Sequence, residues 1–111
     1  MPQNVRPVHE VKAAFFRVLG HPARVRILEL LHEGERSVGS LQAELGLDSG
    51  GTSQHLAALR RIGLVTSRRE GSSVFYRVVD EQTFELLAVA REILSRQLVN
   101  QQSLLRELES E

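Results

Sequence analysis

From residue 9 to residue 62 the apolar residues recur every three or four positions; after Gly63 they alternate, and from Glu81 they return to helical spacing. No single sheet or plain bundle accommodates that double switch. Short helices must lead into a β-ribbon and out of it into one more helix, which gives a mainly α chain carrying a hairpin.

The punctuation assigns five helices. Residues 9–19, "HEVKAAFFRVL", space Val11, Phe15, Val18 and Leu19 along one face, and Gly20 follows as a stop. Pro22 suits a first helical turn, after which Val25, Ile27, Leu28, Leu30 and Leu31 form a broad apolar face before Gly34. The end of "GERSV" suits a short strand, and "GSLQAELG" reads as a third helix with Leu41 and Leu45 inward and Gly46 as its cap. Asp48 or Ser49 can cap a fourth, with Leu56, Leu59 and Ile62 on its inner face and Gly63 ending it. "LVTSRREGSSVFYRVV" predicts two strands, Leu64–Arg69 and Val74–Val79, with Gly71 in the turn. Residues 81–108 predict a last helix about 40 Å long, whose stripe includes Leu87, Leu94, Leu98 and Leu105. That stripe needs a partner, and a second copy of the chain is the simplest one. Residues 1–7 read as a flexible tail and 8–111 as one domain.

Composition narrows the chemistry. With no cysteine there is no disulfide, thiolate metal site or thiol redox switch. No apolar run is long enough to span a bilayer and the N-terminus lacks the apolar core of a secretory signal, so a soluble cytoplasmic protein without a membrane partner is expected. Formal net charge is zero, but residues 50–79 hold five arginines against Glu70 alone, whereas residues 80–111 hold seven acids against three arginines. An acidic end hides a basic middle.

Two short helices and then an arginine-bearing ribbon suit duplex DNA: the second helix enters the major groove and the ribbon reaches the backbone. Thr52, Ser53, Gln54, His55 and Arg60 are the candidates to face the groove. Gln54 has the bidentate amide that matches adenine, and Arg68 and Arg69 can neutralise phosphates. Gly50 and Gly51 lack the spacing and lysine of a nucleotide-binding loop; in the first helical turn their bare backbone can approach a DNA phosphate. Plainer readings exist for each: solvated or ion-paired arginines, a histidine bonded inside its own domain, or edge-strand charges that discourage aggregation.

"FFRVLGHPARVRILELL" together with "LGLDSGGTSQHLAALRRIGLVTSRREGSSVFYRV" resembles the ArsR/SmtB family of bacterial winged-helix transcriptional regulators, over about residues 11–95. The resemblance implies a winged helix-turn-helix homodimer formed by the first and last helices, Phe15 and the last-helix leucines included, that binds an operator with two recognition helices and two wings. It also implies DNA contact by Ser53, Gln54 and His55. Most such regulators are repressors released by a metal or a redox signal. The positions that match the family's Cys-x-Cys are Ser37 and Gly39, and the stretch after Asp80 has no histidine for the last-helix site. A metal response would need an atypical histidine and carboxylate set, with His9 and His32 as candidates and nickel or zinc as the ion.

The leading expectation is a sequence-specific DNA-binding regulator, a repressor by resemblance. The alternative is a winged helix that binds a protein, such as the partner-controlled half of a two-protein sensor. An enzyme is not expected: there is no nucleophile elbow, no HExxH and no recognisable carboxylate pair.

Overall fold

The computed structural model describes residues 6–110, in two compact units, one up to Asp80 and one from Glu81. The flexible tail expected over residues 1–7 falls mostly outside the described residues; Pro7 already serves as the cap of the first helix. The last helix is therefore described by itself.

The elements are α1 (Val8–Leu19), α2 (Pro22–Leu31), β1 (Arg36–Ser37), α3 (Val38–Leu45), α4 (Ser49–Arg61), β2 (Val65–Glu70), β3 (Ser73–Val78) and α5 (Gln82–Ser110). Local chemistry sets most boundaries. His21 caps α2, its Nδ1 accepting from the Ala23 N–H at 3.1 Å, and Pro22 occupies the first turn, where its missing donor is harmless. Ser37 caps α3 by accepting from Ser40 N–H, and Gly46 closes that helix with φ +67°. Asp48 caps α4, its Oδ1 accepting from Gly51 N–H at 2.6 Å.

The core of the first unit gathers Ile27, Leu28, Leu30 and Leu31 from α2, Leu41 from α3, and Leu56, Ala58 and Leu59 from α4, with Leu64 and Val65 beneath the ribbon. On α1 only Leu19 is buried, and Val11 and Phe16 are exposed. Of the inward face expected for α1, Leu19 is buried, Phe15 and Val18 are half-buried and Val11 is open. The ribbon also differs from a two-stranded hairpin: β1 pairs antiparallel with β3, giving a three-stranded sheet in the order β1-β3-β2. Three strands hold a ribbon better than two, because an isolated hairpin is marginal in water.

The junction from α4 into the sheet is tightly specified. Gly63 N–H bonds to the Arg60 carbonyl at 3.0 Å, and Leu64 N–H to the Leu59 carbonyl at 3.1 Å. This is the paired bonding of a Schellman motif, with the apolar partners Leu59 and Leu64 both buried and Gly63 at φ +80°. Val79 N–H then bonds the Leu64 carbonyl and closes the base of the ribbon. Exposure rises along β2 toward the tip, where Gly71 turns the chain at φ +61°.

The second unit is the single helix α5, 29 residues long or about 43 Å. Its Ile93, Leu94, Leu98, Leu104, Leu105 and Leu108 are exposed. No helix among the described residues is long and apolar enough to cross a membrane. Five helices and the hairpin-bearing sheet make a winged helix-turn-helix, with α3 and α4 as the helix pair and β2–β3 as the wing.

A Cβ at position 63 must adopt the left-handed backbone, which costs an L-residue about 1–2 kcal/mol. Gly63→Ala is therefore expected to lower unfolding free energy by about that amount in urea denaturation; an unchanged value would show that the Schellman turn does not set the α4–wing junction.

Candidate nucleic-acid interface

One turn-by-turn pattern fixes how α4 presents itself. Thr52, Leu56 and Leu59, spaced four and three apart, are all fully buried. Thr52 tolerates burial because its hydroxyl donates to the Asp48 carbonyl at 3.0 Å. This overturns the expectation that Thr52 faces the groove: it anchors the helix. The opposite face carries Ser49, Gly50, Ser53, Gln54, Ala57, Arg60 and Arg61, all exposed. Gly50, Ser53, Gln54 and Arg60 are the expected ones among these, Arg61 shares the reading of Arg60 as either solvated or in contact, and Ser49 and Ala57 are additions from the structure. The helical period, started from Thr52, puts Ala57 and Arg61 on the far side, whereas Ser49, three residues before Thr52, is exposed at the edge of that face because it opens the helix.

His55 also departs from expectation. It lies on the flank of the inward face, half-buried, with its ring centroid 4.3 Å from that of His21. Arg24 Nε donates to His55 Nδ1 at 3.1 Å, while Arg24 Nη1 donates to the Val18 carbonyl at 3.2 Å. A guanidinium is always a donor, so Nδ1 of His55 must keep its lone pair and the ring proton sits on Nε2. One arginine thus ties the end of α1, the start of α2 and the flank of α4 together. His55 serves this internal contact, rather than offering both nitrogens to DNA. Burial pushes its imidazole below the ordinary value of 6.5, and the charges of His21 and Arg24 push the same way.

The glycines are placed as expected in the first turn of α4, but Gly51 N–H is already taken by Asp48. A Cβ at Gly51 would lie 3.0 Å from that carboxylate oxygen, whereas one at Gly50 would lie 3.8 Å away. Close backbone approach therefore falls to Gly50, with Gly51 reserved for the cap.

In the wing the two adjacent arginines differ. Arg68 is exposed but paired: its Nε and Nη2 donate to the Glu35 carboxylate at 3.0 and 2.6 Å, and its Nη1 donates to Glu70 at 2.8 Å. Its guanidinium also stands 4.7 Å from the centroid of the Phe75 ring, its cross-strand neighbour. Hydrogen bonding from Arg68 holds the Glu35 carboxyl below the usual carboxylate range. Arg69 is also exposed but has no side-chain partner among the described residues. Arg77 is exposed as well and shares the sheet face of Arg68, opposite Thr66.

The other expected sites are simply placed. Phe15 is half-buried with its ring edge-on to Phe16 at 5.5 Å, and Phe16 is the more exposed of the two. Leu94, Leu98 and Leu105 are exposed on α5, and Leu87 is half-buried. His9 lies in the first turn of α1 and His32 caps the end of α2. Among the described residues no three histidine, aspartate or glutamate side chains are grouped to hold a metal ion.

Residues 21–67, which run from the α2 cap into the wing, match the model of a family described as bacterial regulatory protein, arsR family. An uncharacterised HTH-type transcriptional regulator of Mycobacterium tuberculosis, Rv0081, is 48% identical over 92% of this chain and 90% of its own. The chain belongs to the ArsR family. The crystal structure of Rv0081 superposes with a TM-score of 0.81, covering 87% of this ArsR-family chain and 98% of that one. A solution structure from Mycobacterium bovis, described as a homodimeric winged helix-turn-helix DNA-binding domain, is 31% identical with a TM-score of 0.73, covering 88% and 93% of the two chains. The biofilm growth-associated repressor of Agrobacterium fabrum is 39% identical over 68% of this chain and 64% of its own. The ArsR-family chain is accordingly a transcriptional regulator and not an enzyme.

The His55 contact predicts a pH dependence of stability. A ring that resists protonation when folded stabilises the fold above the unfolded value of 6.5, and that contribution is lost as pH falls below it. Urea unfolding between pH 7.5 and 5 is expected to show falling stability, with a shallower fall in His55→Gln; identical profiles would remove His55 from the cause.

Proposed function

We propose that this chain is a sequence-specific DNA-binding repressor that works as a homodimer, with α4 in the major groove and the wing on the backbone. The observation that carries the reading is the exposed face of α4: Ser49, Gly50, Ser53, Gln54, Ala57 and the two arginines stand together on one side, and no side-chain bond ties them down among the described residues. A helix that served only its own fold would not need such a face followed directly by a cationic strand. Gln54 supplies a bidentate amide for adenine, Ala57 a methyl that fits beside thymine, and Arg60 and Arg61 reach phosphates or guanine edges. Arg69 supplies phosphate affinity from the wing.

Dimerisation is supported by the open apolar stripe of α5 and by exposed Phe16 on α1, surfaces that a lone soluble chain has reason to cover. The homodimeric M. bovis neighbour supports the assembly, and the repressor from A. fabrum supports the direction of control.

A gel shift with duplex from upstream of the chain's own gene, against random duplex across a salt series, tests the reading. Selective binding is expected, and equal affinity for both duplexes at every salt concentration would contradict it. Gln54→Ala should relax preference at one base position, at about 1–3 kcal/mol, leaving random duplex unaffected. Arg69→Ala should weaken binding to all sequences and reduce the salt slope by about 0.9 per wing, measured by anisotropy titration; an unchanged slope would take Arg69 off the backbone.

A further inference from the structure

Arg68 is one of the two wing cations that the sequence puts forward for phosphate, yet its guanidinium is filled from within. Glu35 lies between α2 and β1, 33 residues away in the chain, so the pair is a tertiary contact and no accident of neighbouring positions. The carboxylate faces the Nε–Nη2 edge of the guanidinium, with Nε at 3.0 Å from both oxygens and Nη2 at 2.6 Å from Oε1. That edge is the fork with which arginine grips a phosphate. Arg77 stands two positions along the same sheet face from Phe75, and its charge also stabilises ionised Glu35. Thr66 and Ser67 complete the rim of a shallow cavity of about 190 Å³ lined by Glu35, Thr66, Ser67, Arg68 and Arg77. Arg68, Arg77 and Thr66 share one sheet face beside the Glu35 carboxylate, and Glu70 holds the other edge of Arg68: an anion site already holding an anion that belongs to the chain.

We propose that the wing root is a phosphodiester-binding site in which Glu35 is an internal surrogate, displaced from Arg68 by a DNA phosphate when the wing docks. The proposal rests on the DNA-binding reading above. Both partners are accessible, the Arg68 side chain being 50% and that of Glu35 29% exposed, so a phosphate can reach the fork. Exposed ion pairs add little to stability, so the exchange leaves the fold intact. Glu70 keeps hold of Nη1 and Phe75 keeps the guanidinium stacked, which positions the fork while its other edge changes partner. In the free protein the surrogate neutralises one wing charge and so restrains binding to random duplex.

A double-mutant cycle tests this. Glu35→Gln is expected to tighten binding to both specific and random duplex, about threefold per wing and roughly tenfold for a two-winged dimer. In an Arg68→Ala background the same substitution should change affinity little. A gain of equal size in both backgrounds would show only a general loss of negative charge and would overturn the surrogate role, as would no gain in either. Inorganic phosphate, titrated without DNA and followed by amide NMR shifts, separates the two sources of the ligand. Weak binding in Glu35→Gln that disappears with Arg68→Ala supports the anion site, and saturable binding by the unsubstituted protein at low phosphate would overturn the assignment to DNA in favour of a free oxyanion. If no variant binds any duplex, the DNA-binding reading fails; the phosphate titration then decides the site alone, and no Arg68-dependent binding in Glu35→Gln would overturn it too.

Discussion

Burial of Thr52, Leu56 and Leu59 sets the rotation of α4, and the candidate interface depends on that rotation. With those three inward, Ser53, Gln54 and Ala57 can only point out, and the Schellman turn at Gly63 then launches the wing from the same buried residue, Leu59. The outward face is therefore specified by what the inward face packs against. A threonine among leucines makes this possible at no loss of polar pairing, because its hydroxyl bonds within the helix turn at Asp48.

Charge is organised by the same economy. The arginine-rich stretch looks uniformly basic in sequence, but folding divides it: Arg68 is committed to Glu35 and Glu70, whereas Arg60, Arg61 and Arg69 have no side-chain partner among the described residues. The cationic surface on offer is smaller and more localised than the count of arginines suggests. Such localisation favours register on a backbone over diffuse attraction. Asp48 adds to the restriction at the start of α4, where it takes the Gly51 donor that an approaching anion would otherwise use.

Element order was readable because most boundaries carry a local signal: Pro22 after His21, Gly46 after α3, Asp48 before α4, Gly63 and Gly71 at positive φ. The places where sequence reading departed from the structure are those decided by residues far away. Arg24 lies 31 positions from His55 and Glu35 lies 33 from Arg68, so nothing near either residue announces its partner. Thr52 was misplaced for a different reason. Its polarity suggested solvent, while its spacing from Leu56 and Leu59 said core, and the spacing prevailed. For α1 the helical spacing of apolar residues predicts a covered face without saying which molecule covers it; only the family resemblance points to a second copy.

Amide NMR of the labelled protein with increasing duplex containing its operator tests the central claim most directly, since it reports every exposed segment at once. The account predicts that the largest shifts cluster at residues 49–54 and 57 of α4 and at 68–73 of the wing, with Thr52 moving through its backbone while its hydroxyl contact persists. Shifts concentrated on α1 or α5, with α4 and the wing unmoved at saturation, would contradict it.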